Sequence, residues 1–463
     1  MAGVRGCVAG IRHNIRLGLV FLLVGCLTGL AVEPSRAETR LSVEDGRQLA
    51  VVLVQAGHVT AAREAALALL SRDPEDQVAL LVLARAARDL GLYPEAIDAA
   101  RRAHRLAEKG SLHRFGASLA MAQALASSGQ RGRAQFWLRR AVDEAPDAAA
   151  RASALRDFNY VRWRNPLSIR LQFNAFPSSN VNGGPTSNTV VIGGIEFINP
   201  AAVPLSGLGF STGAAVSYRW AMGEDVLSFG LSVDATTYRL SDRAKALVPT
   251  ARSSDYATSQ VALSFGWLRP REDGVLSVTT AFGRDWRADA ALADWARLGI
   301  RRTRDFKAVG KLDFSADLVT RRRLDLAIRS SDELGLGVGW TWTLANGDSL
   351  RLGVDVLRVW SESATMARKS GKVVVNWQKA EPVLGMQISA FGSLEKVTYD
   401  KPLALLGVQE DLRVELGVTA LLEEQGFLGF APEVGVVLSR TDSNISLMTT
   451  EAAELRLGIR SLY

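Results

Sequence analysis

The chain reads as two folds in series. An N-terminal all-α region of helical repeats precedes a C-terminal antiparallel transmembrane β-barrel of fourteen strands. Three observations predict this. The second half alternates apolar and polar residues strand after strand, as in Leu227-Ser228-Phe229-Gly230-Leu231-Ser232-Val233 and Leu412-Arg413-Val414-Glu415-Leu416-Gly417-Val418. Such a period turns successive side chains to opposite faces of a strand. The region before it has helical spacing and an internal repeat near 34 residues. The final stretch, Leu455-Arg456-Leu457-Gly458-Ile459-Arg460-Ser461-Leu462-Tyr463, is itself an alternating strand that closes on an aromatic residue.

Residues 1–37 read as a secretory signal. Arg5, Arg12 and Arg16 make a basic start, an apolar run follows from Leu17 to Val32, and Ser35-Arg36-Ala37 offers a small-x-small cleavage site. Leu23-Val24-Gly25-Cys26 also matches a lipoprotein box, which leaves lipidation at Cys26 as the alternative to cleavage after Ala37. The apolar run continues past Cys26 and favours ordinary cleavage. Both cysteines, Cys7 and Cys26, lie in this segment, so the processed chain is expected to carry no disulfide and no thiolate site. The formal charge is +7. The signal holds Arg5, Arg12, Arg16 and Arg36 against Glu33, so its removal leaves a near-balanced chain, which argues against nucleic acid as a partner.

Residues 38–164 form the helical domain. Gly57 with Val59 and Ala62 is followed by Pro74. Gly91 with Tyr93 and Ala96 is followed by Ala103. Gly129 with Arg131 and Ala134 is followed by Ala141 and Pro146. Glycine allows a tight inter-helix turn and small residues allow close helix approach, so the pattern looks like tetratricopeptide repeats, a generic Ala-rich bundle being the alternative. Three such units make a short curved solenoid whose concave face suits a protein partner.

Residues 165–463 form the barrel. Strands are expected near 167–177, 206–220, 225–240, 256–269, 274–286, 292–303, 306–319, 334–344, 349–361, 370–379, 383–396, 409–422, 428–440 and 451–463. A two-sheet sandwich would also alternate. Strands of about ten residues favour a barrel that crosses a bilayer, with Trp220, Trp267, Trp286, Trp295, Trp340, Trp342, Trp360 and Trp377 as an interfacial girdle. Short gaps such as Ala221-Met222-Gly223-Glu224 and Ala345-Asn346-Gly347-Asp348 alternate with gaps mostly of ten residues or more, which puts both barrel termini on the short-turn, periplasmic side. Segment 320–333 reads as either a loop or an extra strand.

Chemistry-bearing motifs are sparse. His58, His104 and His113 lack metal-ligand spacing and read as solvated helix positions. There is no Gly-x-Ser-x-Gly and no barrel histidine to activate a serine. Gly207-x-Gly209 and Gly335-x-Gly337-x-Gly339 read as strand kinks or close packing, and Arg321-Arg322-Arg323 as solvated or headgroup-facing charge. The expectation is a non-enzymatic protein with no catalytic residue, cofactor or metal.

The closing strand resembles the terminal signal read by the bacterial outer-membrane barrel assembly machinery, with Leu455, Leu457, Ile459 and Tyr463 as its apolar row, although Phe is the usual last residue. Asn174-Ala175-Phe176-Pro177-Ser178-Ser179-Asn180-Val181-Asn182 is similar to the Pro-x-Ser-Asn-Ile-Asn stretch of the surface lipoprotein assembly modifier family. Gly429-Phe430-Ala431-Pro432 with Arg440-Thr441-Asp442-Ser443-Asn444-Ile445 is similar to that family's final hairpin. The resemblance covers nearly all of 42–463, with Tyr463 and a short helical domain as departures. It implies an outer-membrane translocation or display factor for a client lipoprotein or secreted protein, acting with outer-membrane lipids, the barrel assembly machinery and a periplasmic chaperone, as a monomer. A polysaccharide-export or diffusion porin is the alternative, and a barrel that only anchors the repeats a third. Because strand 14 must pair strand 1 in a closed barrel, Ser179, Asn180 and Asn182 are expected beside Ser443 and Asn444 at the outer end of the seam, satisfying backbone groups.

Overall fold

A computed structural model of the chain describes residues 41–192, 195–199, 202–307 and 309–461. Residues 1–37, read above as a signal, with Cys7 and Cys26, and Tyr463 of the final row lie outside the described residues.

Seven helices come first: α1 (Val43–Gln55), α2 (Val59–Arg72), α3 (Gln77–Asp89), α4 (Tyr93–Leu106), α5 (Leu112–Ser127), α6 (Arg131–Asp143) and α7 (Ala148–Arg164). They form three helix pairs and a closing helix. Each pair turns in the same way. Gly57, Gly91 and Gly129 adopt φ of 83°, 79° and 80°, a region costly for a residue with a Cβ. The following amide reaches back to the last turn of the preceding helix in all three: His58 N to Leu53 O at 2.9 Å, Leu92 N to Ala87 O at 2.8 Å, Gln130 N to Leu125 O at 2.9 Å. The helix that opens each pair, and α7, instead start on side-chain caps: Ser42, Asp76, Ser111 and Asp147 accept from Asp45, Ala79, Arg114 and Ala150 amides.

The repeat alanines are the contact surface. Ala62, Ala96, Ala134 and Ala141 have no exposed area, and Ala103 retains 2%. Without large side chains there, backbones approach closely and Leu80, Met121, Leu125, Leu138 and Phe158 fill the remaining space. Tyr93 opens α4 and is followed by Pro94 in its first turn, where proline's missing amide is harmless. Pro74 and Pro146 lie in the α2–α3 and α6–α7 links, and Arg102 donates to the Pro74 carbonyl at 2.8 Å.

His104 corrects the sequence reading. It is buried rather than solvated, edge-on to Trp137 at 4.9 Å and 3.4 Å from Glu144. Its face of α4 meets α5 and α6, which the spacing of one helix cannot specify. His58 and His113 are exposed.

The barrel follows: β1 (Leu167–Ser178), a hairpin of β2 (Thr189–Ile192) and β3 (Ile195–Ile198), then β4 (Gly207–Met222), β5 (Asp225–Leu240), β6 (Thr258–Arg271), β7 (Gly274–Arg287), β8 (Ala290–Phe306), β9 (Gly310–Arg323), β10 (Ser331–Thr343), β11 (Ser349–Ser361), β12 (Arg368–Gln378), β13 (Met386–Pro402), β14 (Val408–Leu422), β15 (Phe430–Ser443) and β16 (Thr450–Ser461). Fourteen of these close into one antiparallel barrel, with β1 joined to β4 on one side and β16 on the other. The hairpin stands apart within the β1–β4 loop. A short helix α8 (Asp242–Leu247) lies in the β5–β6 loop, where Leu205, Leu240 and Ala244 form a small buried cluster.

Strands run longer than the alternation suggests, so loops are shorter. The β7–β8 link is a two-residue turn, Ala288-Asp289, both at positive φ. Segment 320–333 holds no extra strand: Thr320–Arg323 ends β9, a 3₁₀ turn spans Ala327–Arg329, and β10 starts at Ser331. Loops of substantial length are 179–206 and 241–257, on the same rim.

Candidate functional site

The register assigns each strand residue to a face. Leu171, Val216, Leu231, Leu263, Phe282 and Leu298 continue an outward apolar band through Leu336, Val354, Val373, Leu416 and Val436 to Leu457. These side chains are markedly exposed, with Leu171 at 58% and Leu416 at 54%. A water-facing surface would not carry a contiguous apolar band of this extent, whereas a bilayer-facing one requires it. No described helix is long and apolar enough to cross a membrane. Trp220, Trp267, Trp340, Trp342 and Trp377 face outward towards the short-turn end, and Trp286 and Trp360 towards the other. Trp295 departs from the expected girdle. It faces the lumen, lies where a Cβ on Gly283 would sit, and donates to Asp285 at 2.9 Å.

The lumen is polar and carries both signs. Arg297 pairs with Asp317 at 2.7 Å, Arg351 with Asp313 at 2.8 Å, and Arg413 with Asp411 at 3.0 Å. Inward glycines act as slots for neighbouring side chains: Phe176 lies over Gly209, Phe391 over Gly417, and Asp355 over Gly337. Gly335-x-Gly337-x-Gly339 is therefore wall packing. The Arg321-Arg322-Arg323 run is held by Asp285, Asp332 and Asp325 in turn. Among the described residues no group of His, Cys, Asp and Glu is placed to hold a metal ion.

The rim opposite the helical domain holds the asparagine motifs. Asn180 is buried; its amide accepts from Gly184 N at 2.7 Å and donates to Gly184 O at 2.8 Å and Glu451 O at 2.9 Å. Asn182 binds Val203 O and Leu205 N, which folds the β1–β4 loop back on itself. Ser179 accepts from Ala453 N at 2.9 Å. Asn444 serves the other neighbour: it accepts from Glu410 N and donates to Val408 O, both at 2.8 Å. Ser443 accepts from Ile445 N. Both motifs thus lie at one rim and one stretch of wall, but they do not join. Asn180 fastens β1 to β16, and Asn444 fastens the β15–β16 loop to β14. Leu455, Leu457 and Ile459 face outward on β16, and Ile459 and Leu457 pair with Phe173 and Ala175 of β1.

The short-turn end carries a contact the sequence did not reveal. Asp143, at the end of α6, accepts from the amide of Leu428 in the β14–β15 turn. Leu428-Gly429 turns at positive φ, and Leu428 is not a residue that favours it. Arg139 of α6 stacks between Phe158 of α7 and Phe430 of β15, at 5.5 and 5.2 Å. Burial raises the Asp143 carboxyl above its usual range despite the Leu428 hydrogen bond. Next to it, burial opposes ionisation of Glu144, but hydrogen bonds from Ser118, Arg114 and Arg140 outweigh it and lower its pKa. Burial, with the nearby Arg114 charge, lowers that of His104. The partners of Asp143 and Arg139 in the barrel lie some 285 residues away, beyond any local periodicity.

Neither protein-family models nor curated proteins match this chain. Among solved structures it is similar to Wzi of Escherichia coli, a carbohydrate-binding outer-membrane barrel involved in capsule assembly: 8% identity, 70% of this chain, 91% of that one, TM-score 0.33. It is also similar to OccAB4 of Acinetobacter baumannii, at 10% identity, 63% and 97% coverage, and TM-score 0.33. The Yersinia enterocolitica type III secretion translocator chaperone SycD matches 26% of this chain over 92% of its own length, with 17% identity and TM-score 0.24. The likeness is of fold alone: barrels of the outer-membrane kind, and a helical chaperone.

Proposed function

We propose that this chain is a non-enzymatic outer-membrane factor that helps lipoproteins or secreted proteins reach the cell surface. The observation that carries the reading is the seating of the helical repeats on the short-turn end of the barrel, through Asp143–Leu428 and Arg139–Phe430. A client or its chaperone held by the repeats would stand at the lumen's mouth. In this reading the short-turn end faces the periplasm, the signal segment directs export, the tryptophan bands meet the lipid interfaces, and the β16 row is read by the barrel assembly machinery. The protein works as a monomer and without nucleic acid. Sequence resemblance to the surface lipoprotein assembly modifier family supports this over a polysaccharide porin, as does a lumen whose arginines and carboxylates alternate: a polymer of one charge would meet repulsion along such a wall.

Deletion of residues 42–160 tests it. Display of a client encoded beside this gene should fall sharply in cells where heat-modifiable gel mobility shows that the barrel still folds. Undiminished display would refute a role for the repeats and reduce the protein to a barrel that works alone.

A further inference from the structure

Where the helices meet the barrel there is a cavity of about 750 Å³. It is bordered by Arg139 and Arg162 from the helices, and by Arg170, Arg219 and Arg460 from the inner wall, with Glu433 as the carboxylate among them. Several of these groups already have neighbours. Arg460 pairs with Glu433 at 3.1 Å, and Arg219 donates to the Asn165 carbonyl at 3.0 Å. Arg139 stacks between two phenyl rings. A backbone carbonyl does not cancel a guanidinium charge, so Arg162, Arg170 and Arg219 leave the lining positive once Arg460 is set against Glu433. The wall farther along is different, since Arg297, Arg351 and Arg413 each sit beside an aspartate.

We propose that the cavity is a binding site for carboxylate-rich polypeptide, an acidic segment of an exported chain that passes from the repeats into the lumen. This rests on the function proposed above and names the chemistry its entrance selects. Guanidinium groups present paired donors that match carboxylates bidentately. The volume suits a short peptide segment rather than a single ion. Phe158, Phe430 and Leu167 supply apolar lining for the intervening side chains. On the wall beyond, Arg297 and Arg351 are each paired by an aspartate and Asp355 adds a further carboxylate, so an unbroken polyanion such as an acidic polysaccharide finds no continued attraction, whereas a polypeptide carries its acidic patch locally. The place is also open on the seam side. β16 meets β1 at Phe173, Asn174, Ala175 and Ser178, and the foot of β1 below these residues borders the cavity.

The test uses the full chain in detergent or lipid nanodiscs and three fluorescent probes: hexaglutamate, hexaserine and an oligogalacturonate of equal length. Hexaglutamate should bind saturably and weaken as salt rises from about 0.05 to 0.3 M. The double variant Arg162→Glu/Arg170→Glu should lose about tenfold or more in affinity, equivalent to removal of at least one good charge-assisted contact. Arg162→Gln/Arg170→Gln should fall between the two, and serves if the reversal fails to fold by heat-modifiable mobility. Arg243→Glu, on α8 at the opposite rim, should bind as the parent does. Equal binding of hexaserine, indifference to both double variants, or tighter binding of the oligogalacturonate would overturn the proposal. The two readings separate cleanly. Peptide binding in a protein whose display is insensitive to loss of residues 42–160 sinks the display role and leaves the site standing. Helix-dependent display without peptide binding sinks the site alone.

Discussion

The helical region and the barrel place the same kinds of side chain on opposite sides of their walls. In the repeats, Ala62, Ala96 and Ala134 are fully buried and Leu80 and Leu125 lie beneath them. In the barrel, Ile169 is 61% exposed and Leu457 43%, while charged residues, glycines and a few aromatics such as Trp295 line the inside. One region is built to exclude water from its centre, the other to meet hydrocarbon at its surface and water in its lumen. The difference also sets how each half is held together. Repeat packing depends on volume at tight helix contacts; the barrel depends on its closed backbone ladder, on ion pairs along the lumen wall and on amides that fasten its rim.

The contrast is most sharply tested by charge. Leu336→Arg, in the outward row of β10, should destabilise the barrel in lipid vesicles by about 2–4 kcal/mol. Leu112→Arg on α5 swaps a comparably exposed leucine, 66% accessible, and should stay within about 0.5 kcal/mol in the same unfolding assay. Similar costs at both sites would mean that the outer band does not face lipid. Volume tests the other half. Ala96→Leu should cost about 1–3 kcal/mol by overpacking the α3–α4 contact, while Ala214→Leu, outward on β4, should be nearly neutral. Denaturant melts of the two variants decide it.

At the rim, Asn180→Ala removes the buried amide that binds the Gly184 backbone and the Glu451 carbonyl, and should cost about 1–3 kcal/mol. Asn444→Ala is more exposed and should cost about 1 kcal/mol. Both should lower barrel stability more than client recognition; a variant that folds normally but loses display would make the asparagines client contacts instead. Gly91→Ala forces a Cβ into positive φ and should cost the repeats about 1–2 kcal/mol.

Acidification probes the helical half. His104 has a lowered pKa, so its contribution is present above the ordinary imidazole value near 6.5 and is lost as pH falls below it. Glu144 is also lowered, and its contribution is lost at more acidic pH as the carboxyl takes a proton. The helical circular-dichroism transition of the full chain should therefore move to lower temperature from pH 7 to pH 4. His104→Gln should remove the upper part of that dependence.

How much of this was legible follows the same physics. Fourteen strands showed in the sequence because a lipid face and a polar lumen enforce a strict period of two, as at Leu412–Val418. The three helix pairs showed because Gly57, Gly91 and Gly129 each sit where a Cβ is penalised. What stayed hidden depends on partners distant in sequence. Trp295 looked like its girdle neighbours, yet its parity on β8 turns it inward over Gly283. His104 looked solvated until α5 and α6 covered it. The hairpin in 179–206, and the Asp143–Leu428 contact, carry no periodic signal at all.

The account rests on which end of the barrel faces the cell exterior. Both native cysteines, Cys7 and Cys26, lie within residues 1–37, the segment proposed to direct export, so single thiols placed in either fold report cleanly. Leu405→Cys stands at the rim of the asparagine motifs, 83% exposed, and Leu384→Cys in a short turn, 89% exposed. On intact cells a membrane-impermeant maleimide should label Leu405→Cys and spare Leu384→Cys and Leu112→Cys, which should react only after the outer membrane is permeabilised. Labelling of Leu384→Cys and Leu112→Cys with Leu405→Cys protected would place the helices outside and contradict the account.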